Sequence, residues 1–219
     1  MIITWHGFSC FRIQESRHGG EVSLVTDPFE PESGKKLPRN FSADVITISH
    51  DDARHNASAL VAPAGEGAAF VITGPGEYEV KDMFVTGISI YHEAVEGKEK
   101  GLNTIYRFNA GGLHMVHLGD LKHPMDEKYL EEIHDVDVLF VPIGGALTAK
   151  QAVALVSQIE PRIIIPMYYK SGDIGTDLEG PEAFIKAMGL GKPEIMSKFK
   201  ITAKELPQGE MKLVILEPQ

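Results

Sequence analysis

Cysteine is almost absent from this sequence, and its scarcity limits the chemistry available to the chain. Cys10 is the one cysteine among 219 residues, so no disulfide can form within the chain and no thiolate zinc cluster can be built from it. A metal site would therefore have to use histidine and carboxylate ligands. Nine histidines and 31 acidic residues provide the candidates.

Long hydrophobic runs are also missing. The longest apolar stretches, such as DVLFVPIGG at 137–145 and RIIIPM at 162–167, are much shorter than the roughly 20 residues that cross a bilayer. The first residues, MIITWHGFSCFRI, predict a strand and lack the basic start, the longer apolar middle and the small-residue cleavage site of a signal peptide. We therefore expect no membrane segment and a cytoplasmic location.

The sequence has fewer basic than acidic residues. The sequence has 21 Lys and Arg residues against 31 Asp and Glu residues, which gives a formal net charge of −10. Such a charge disfavours nonspecific attraction to a phosphate backbone, and no basic run with interleaved aromatic residues is present. We expect a small-molecule substrate as the partner, with no nucleic acid and no membrane, and the formation of a homo-oligomer remains open.

The pattern of apolar residues predicts a single α/β domain over residues 1–219. With 43% hydrophobic residues, the chain can bury a substantial core and is short enough to form one domain. Short β-rich runs separated by Gly, Pro, Asn and Asp extend to residue 118, and helical periodicity appears only later. The predicted helices are 125–133, 148–159 and 181–188, and 212–216 is predicted to be a strand.

Two runs in the second half indicate a sheet with helices outside it. Residues 137–145 and 162–167 are apolar on consecutive positions, which is typical of strands covered on both faces. The helix predicted at 148–159 lies between them in the sequence. The charged segment at 98–100 is predicted to be a turn.

Several predicted strands end in residues that can hold metals or protons. The endings are Asp27, the loop His50-Asp51-Asp52-Ala53-Arg54-His55, His92 with Glu93, Asp120, and Tyr168-Tyr169-Lys170. Because active-site groups concentrate on loops at the ends of a rigid sheet, these five endings could converge on one rim. Taken singly, each residue has an ordinary structural explanation, such as a turn-forming aspartate.

The remaining histidines give no such signal. His117 lies inside an apolar β run, and we expect it to pack or hydrogen-bond within the core. No partner at a suggestive spacing accompanies His6, His18, His114 or His134, and no role is assigned to them.

Eight segments, taken together in order and spacing, resemble the metallo-β-lactamase superfamily, in particular its compact bacterial metal-dependent hydrolases related to the L-ascorbate-6-phosphate lactonase group. The segments are ITWHGFSCF, VTDPF, ADVITISH, GPGEYEV, GLNTIY, HLGDLKH, VPIGG and PMYYK, and they cover nearly the whole chain. The resemblance implies an αββα four-layer sandwich, in which two facing β-sheets lie between helices and the site runs along one edge.

The resemblance places the family's metal ligands on partly altered residues. The HxHxDH motif aligns with His50, Asp52, Arg54 and His55, the third ligand histidine with His92, the bridging aspartate with Asp120, and the final histidine with Tyr168. An early aspartate that supports the ligand loop corresponds to Asp27. Two of the four motif positions and the final histidine have therefore changed.

The resemblance implies that a first metal site is largely retained. This site would keep His50 and His92, with Asp52 in place of a histidine and help from Asp120. Two imidazoles and a carboxylate form a suitable ligand set for zinc or manganese.

The second metal site is altered more strongly. It keeps His55 and Asp120. It has Arg54 where an anionic ligand belongs and neutral Tyr168 where an imidazole belongs. A guanidinium has no lone pair to donate and is charged at every relevant pH, so we predict that the second metal is absent. Arg54 is expected instead to form a charge-assisted pair with Asp120 or Asp52, with Tyr168 donating a hydrogen bond into the same network.

Two functions of different classes follow. The first is a hydrolase that uses one divalent metal, zinc or manganese, and metal-activated water to cleave a small ester, lactone or phosphorylated substrate. Its catalytic candidates are Asp120, Tyr168 and Arg54, the last as an anion clamp. The alternative is a catalytically silent, metal-free relative that binds a small ligand or a protein.

A third function, an RNA-processing nuclease, is disfavoured. Such enzymes usually need an additional domain that grips nucleic acid, and 219 residues leave no room for it. Substrate-facing loops give no identity for the substrate. The candidates for the pocket wall are Phe8, Tyr91, Lys122, Tyr169 and Lys170.

Overall fold

The computed structural model describes residues 1–31, 35–95, 98–145 and 147–219, without the side chains of 92–95 and 98–100. Its strands are β1 Ile2–Gly7, β2 Cys10–Arg17, β3 Gly20–Thr26, β4 Ser42–Ala43, β5 Val45–Thr47, β6 Ala62–Pro63, β7 Phe70–Ile72, β8 Gly76–Val80, β9 Met83–Val95, β10 Lys98–Ala110, β11 Leu113–His117, β12 Val138–Pro142, β13 Ile163–Met167, β14 Glu194–Met196, β15 Phe199–Lys200 and β16 Lys212–Leu216. Its α-helices are α1 Glu127–Glu132, α2 Ala149–Ile159 and α3 Glu182–Met188.

The strands form two large sheets and one short pair. A six-stranded sheet has the order β15-β1-β2-β3-β5-β7, and an eight-stranded sheet has the order β14-β16-β13-β12-β11-β10-β9-β8, while β4 pairs with β6. Strands β11, β12, β13 and β16 run parallel. Every residue of β12 and β13 is buried, which confirms that these two apolar runs are strands covered on both faces.

The two sheets pack face to face through large apolar side chains. The ring of Phe11 on β2 lies 4.5 Å from that of Phe140 on β12. Trp5 on β1 stacks on Tyr169, just after β13, at 4.8 Å. All four rings are buried, and one cluster of buried residues extends through both sheets. The core therefore lies between the sheets, and the strand ends form its rim.

The α-helices of the described residues all lie in connections of the eight-stranded sheet. The helices predicted at 125–133, 148–159 and 181–188 are confirmed, with ends that differ by no more than two residues. Thr148 caps α2 through a capping box with Gln151, and Gly189 ends α3 with a left-handed φ of 67°. In the described part of the chain, no helix has the length and apolar character needed to span a membrane.

The predicted turn at 98–100 is wrong. These residues begin β10 and pair with β9, with Lys98 opposite Val95 and Lys100 opposite Glu93. The pairing continues because backbone hydrogen bonds between antiparallel strands do not require apolar side chains.

His117 links the two sheets from within the core. Its Nε2–H donates to the carbonyl of Ser9 at 2.9 Å, and its Nδ1 accepts the backbone N–H of Gly119 at 3.2 Å. Burial lowers the pKa of His117, so the imidazole is neutral in this tautomer. The expectation that His117 hydrogen-bonds within the core is confirmed.

His6 on β1 is almost completely buried, with 5% of its surface exposed. Its Nε2 lies 3.2 Å from Oγ1 of Thr4, and its ring meets that of Phe41 edge-on at 4.6 Å. Nδ1 has no hydrogen-bond partner within the described ranges. Burial, with a smaller contribution from Lys35, lowers the pKa of His6 from 6.5 to about 4. The folded protein therefore holds His6 neutral.

Acid should destabilise the protein through His6. Below pH 6.5 the unfolded chain takes up a proton that the folded chain does not accept until about pH 4, so the free energy of unfolding falls as the pH drops through this window. His6→Gln should remove a loss of about 3 kcal/mol between roughly pH 7 and pH 4, measured by urea denaturation. His18→Gln, at an exposed histidine, should retain that loss. An unchanged pH dependence in His6→Gln would contradict this assignment.

Candidate metal centre

The centre is built around Asp27, which directly follows β3 and is fully buried. Its Oδ1 accepts the backbone N–H of Ser49 at 2.7 Å, and its Oδ2 accepts the Ser49 hydroxyl at 2.7 Å and Nδ1–H of His55 at 2.9 Å. Burial alone would raise the pKa of Asp27, but His55 and the Ser49 hydroxyl together lower it below its usual value. Asp27 is therefore an anion that supports the loop after β5, as the resemblance implies.

These hydrogen bonds determine which nitrogen of each loop histidine carries hydrogen. Ser49 has one hydroxyl hydrogen and donates it to Asp27. The contact of 3.1 Å between Ser49 Oγ and Nδ1 of His50 must then use a hydrogen of the imidazole. His50 and His55 therefore both carry hydrogen on Nδ1, which leaves Nε2 as the nitrogen through which each could bind a metal.

The Nε2 atom of His55 gives the clearest indication of a ligand. It is buried and has no hydrogen-bond partner in the part of the chain that the structure describes. An unsatisfied buried polar atom costs about 1–3 kcal/mol. The His55 ring is enclosed by His50 and Tyr168, whose ring centroids lie 4.2 Å and 5.4 Å away. With Nδ1 anchored to Asp27, this nitrogen is suited to bind a metal ion.

Asp120 enters the centre from the eight-stranded sheet, after β11. Its backbone N–H donates to Oδ1 of the buried Asn103 at 3.2 Å, and Nδ2 of Asn103 donates to the carbonyl of Leu118 at 3.0 Å. Its side-chain Oδ2 lies 3.3 Å from Nζ of Lys122. Asn103 thus fixes the position of the loop, and Lys122 offsets part of the carboxylate charge.

The structure brings three of the predicted ligands together. One ligand atom each from His50, His55 and Asp120 lies within 4.8 Å of the other two, so a single ion could contact all three. His50 and His55 come from the six-stranded sheet and Asp120 from the eight-stranded sheet. The centre therefore spans the gap between the sheets at their common rim.

Two other predicted ligands are not part of this group. The side chain of Asp52 is exposed, and its Oδ1 accepts the backbone N–H of Arg54 at 2.9 Å. The short carboxylate bends back onto its own loop, as aspartate commonly does in turns. The side chain of His92 lies outside the described residues.

Arg54 has a different ion-pair partner from the predicted Asp120 or Asp52. Its guanidinium donates to Oδ2 of Asp177 at 2.9 Å and lies 5.1 Å above the ring of Phe8. The hydrogen bond from Arg54 lowers the pKa of Asp177. The expected pairing is corrected because the long side chain reaches Asp177, on the loop after β13.

Tyr168 stands beside the ligands where β13 ends. Its φ is 54°, and its backbone N–H donates to the carbonyl of Phe8 at 2.9 Å. Burial, and to a smaller extent Asp120, raises the pKa of Tyr168 to about 12, although a hydrogen bond with Arg54 opposes the rise. The phenol therefore stays neutral at physiological pH and keeps its hydrogen.

The residues predicted to line the pocket wall differ in burial and contacts. Phe8 and Tyr169 are core residues, with 0% and 2% of their surfaces exposed, which corrects their assignment. Lys122 pairs with Asp120, and Lys170 is exposed. Tyr91 lines a cavity of about 220 Å³ together with His123, Pro124 and Tyr129.

Three polar residues that position the site were not found from the sequence. Ser49 directly precedes His50 at a strand end, and this adjacency was the available signal. Asn103 is a single amide among residues that become buried in β10, which was a weaker signal. Asp177 has no local signal, because it meets Arg54 across 123 positions of sequence.

Comparison with known proteins identifies the family. A family model described as a beta-lactamase superfamily domain matches residues 2–168. The chain belongs to this superfamily. The matched residues include the loop from His50 to His55, Asp120 and Tyr168, so the superfamily match contains the whole candidate centre.

Relatives of this superfamily extend the match to nearly the full chain. A Thermotoga maritima structure, described as a candidate Zn-dependent hydrolase of the metallo-β-lactamase superfamily, has 32% identity and a TM-score of 0.77, covering 100% of this chain and 99% of that one. A UPF0173 metal-dependent hydrolase of Methanosarcina mazei is 26% identical, covering 85% of this chain and 90% of that protein. A UPF0173 protein of Pyrococcus abyssi is 31% identical, covering 77% and 83%. The predicted fold class is confirmed.

Gly119 allows the two halves of this β-lactamase superfamily site to approach each other. Its φ is 62°, and a Cβ at this position would lie 2.2 Å from Oδ1 of Asn103 and 2.8 Å from Cβ of Ser49. Both neighbours are buried and hydrogen-bonded, so neither can move without loss. Only glycine fits at this position.

Gly119→Ala should therefore lower the free energy of unfolding by about 2–5 kcal/mol, the sum of left-handed backbone strain and overpacking. Gly172→Ala is the matched control, because Gly172 has a φ of 58° and nothing within 4 Å of the position that a methyl group would take. It should cost only the backbone strain, about 1–2 kcal/mol. Urea denaturation measures both. Equal losses in the two variants would show that the close approach at Gly119 does not matter.

Proposed function

We propose that this protein is a hydrolase that holds one divalent metal ion through His50, His55 and Asp120 and cleaves a small ester, lactone or phosphorylated substrate. The observation that carries the proposal is the buried Nε2 of His55, which has no partner within the described ranges and lies in a group whose ligand atoms are within 4.8 Å of one another. The names of the relatives, which include a metal-dependent hydrolase and a candidate Zn-dependent hydrolase, support the same activity.

The donor set fits a single ion. Two neutral imidazoles and one carboxylate leave coordination positions open, as in catalytic zinc sites, and this chemistry favours zinc over manganese. A metal bound here would supply Lewis acidity toward a carbonyl or phosphoryl oxygen and would activate a water molecule at neutral pH. His50 and His55 would hold it, with His55 oriented by Asp27.

Other side chains of the rim would act on the substrate. Tyr168 keeps its phenol hydrogen because its pKa is raised to about 12, so it can donate a hydrogen bond to a substrate oxygen. Arg54 supplies a permanent positive charge at the same edge. These residues stabilise developing negative charge by hydrogen bonding and charge, without themselves transferring a proton at neutral pH.

A stoichiometry of one metal follows from the same residues. Arg54 cannot bind a cation, and Tyr168 remains protonated. Lys122 lies 3.3 Å from Oδ2 of Asp120, where it offsets the charge that a second cation would need. The side chains on this side of Asp120 therefore favour an anion over another metal.

Metal content tests the proposal directly. After purification without a His tag and equilibration with zinc or manganese, inductively coupled plasma mass spectrometry should find about one tightly held equivalent. His55→Ala and His50→Ala should abolish tight binding, and Asp27→Asn should weaken it by about 10- to 100-fold, since Asp27 orients a ligand.

The control for adventitious binding is His18→Ala, which removes an exposed imidazole and should leave the metal content unchanged. His92→Ala and Asp52→Ala test the two predicted ligands that lie outside the group. Absence of tightly bound metal in the parent protein would overturn the proposal and favour a catalytically silent ligand- or protein-binding relative.

The number of metals can be tested by restoring ligands. The triple variant Asp52→His, Arg54→Asp and Tyr168→His should bind about two equivalents, because Arg54→Asp and Tyr168→His return lone-pair donors to the second site and Asp52→His returns the missing imidazole of the first. Histidine is among the residues that tolerate the positive φ of position 168. Asp51→His, which adds an imidazole at an exposed neighbouring position, is the control. A folded triple variant with no more metal than the parent would refute the alignment of these positions.

A further inference from the structure

The loop between β13 and α3 is anchored by backbone hydrogen bonds and by a buried side chain. Backbone N–H groups of Lys170 and Glu179 donate to Glu179 and Gly144 at 2.9 Å and 3.1 Å. Ile174 is buried. Its Cγ2 lies 3.1 Å from the point where a Cβ on Gly7 would stand, so the side chain packs against this glycine. The loop therefore presents the Asp177 side chain, which is 59% exposed, from a fixed backbone.

The guanidinium of Arg54 forms a seat for an oxyanion beside the metal centre. Its carbon lies 5.1 Å above the ring of Phe8, and this stacking orients the planar group. The rings of Phe8 and Tyr168 are 6.0 Å apart and those of Tyr168 and His55 are 5.4 Å apart, so the guanidinium lies near the candidate ligands. A fixed guanidinium matches the two oxygens of a carboxylate or phosphate group.

In this structure the oxygen on Arg54 belongs to the protein itself, since Oδ2 of Asp177 lies 2.9 Å from the guanidinium. We propose that Asp177 is an internal substitute for an oxyanion of the substrate, and that a carboxylate or phosphate group of the substrate displaces Asp177 from Arg54. This inference rests on the proposed hydrolase function and narrows its substrate to anionic molecules.

The energetics allow such an exchange. Asp177 makes a single hydrogen-bonded contact with Arg54 and is mostly exposed, and exposed ion pairs of this kind are weak. Rotation of the Asp177 side chain is sufficient to release the guanidinium, because the loop backbone stays hydrogen-bonded. A neutral ester has no group that can replace the carboxylate, so the contact discriminates between anionic and neutral substrates.

Binding of small anions to the full-length protein tests this role. Isothermal titration calorimetry with inorganic phosphate, and separately with acetate, is performed on metal-free and zinc-loaded protein. Asp177→Asn should bind the preferred anion more tightly by up to about fivefold, the factor that corresponds to one exposed ion pair. Arg54→Gln should lose this binding, and Arg54→Lys should retain only part of it.

Asp173→Asn is the matched control, because it removes the same charge from an exposed position of the same loop. It should leave the affinity of the parent protein unchanged. The proposal is overturned if Asp177→Asn binds neither anion more tightly than the parent, or if folded Arg54→Gln binds as well as the parent. A preference for phosphate or for acetate identifies which oxyanion the seat accepts.

The metal-free measurements separate this inference from the proposed function. An effect of Asp177→Asn without zinc supports the anion seat even if no metal is held tightly. Tight metal binding without any effect of Asp177→Asn supports the hydrolase and rejects the anion seat.

Discussion

The buried carboxylate of Asp27 is the interaction on which the rest of the site depends. Burying a charge is costly unless hydrogen bonds compensate it, and here the compensation comes from Ser49 and His55 on the neighbouring loop. The same bonds place the hydrogen of each loop imidazole on Nδ1. One carboxylate thus joins β3 to the ligand loop and also determines that Nε2 is the imidazole nitrogen left for a metal.

Much of the fold could be predicted because its signals are local. The Thr148 cap, the glycine after α3 and the continuous apolar runs of β12 and β13 all act within a few residues, and their elements are confirmed. The division into a six-stranded and an eight-stranded sheet depends on pairing between distant segments. The residues at 98–100 show where local signals fail. Their charges indicated a turn, but they pair with strand β9 in the sheet.

The candidate site was predictable only where its residues match the ligand motif of the superfamily. The resemblance supplied His50, His55 and Asp120, which the structure brings together. The resemblance could not predict the contacts that the residues at the altered positions make. Asp52 bonds to its own loop, and Arg54 meets Asp177, because both choices depend on geometry that the order of residues does not specify.

The carbonyl of Phe8 accepts hydrogen bonds from the Trp5 ring and from the backbone of Tyr168, so the rim joins the beginning of the chain to its last third. Protein synthesis runs at about 5–20 residues per second, which separates the appearance of these two segments by on the order of 10 s. During the later part of that interval the nascent chain carries both loop imidazoles but lacks Tyr168, whose ring lies against that of His55. The candidate metal position is therefore enclosed only late in synthesis, after β13 has joined its sheet.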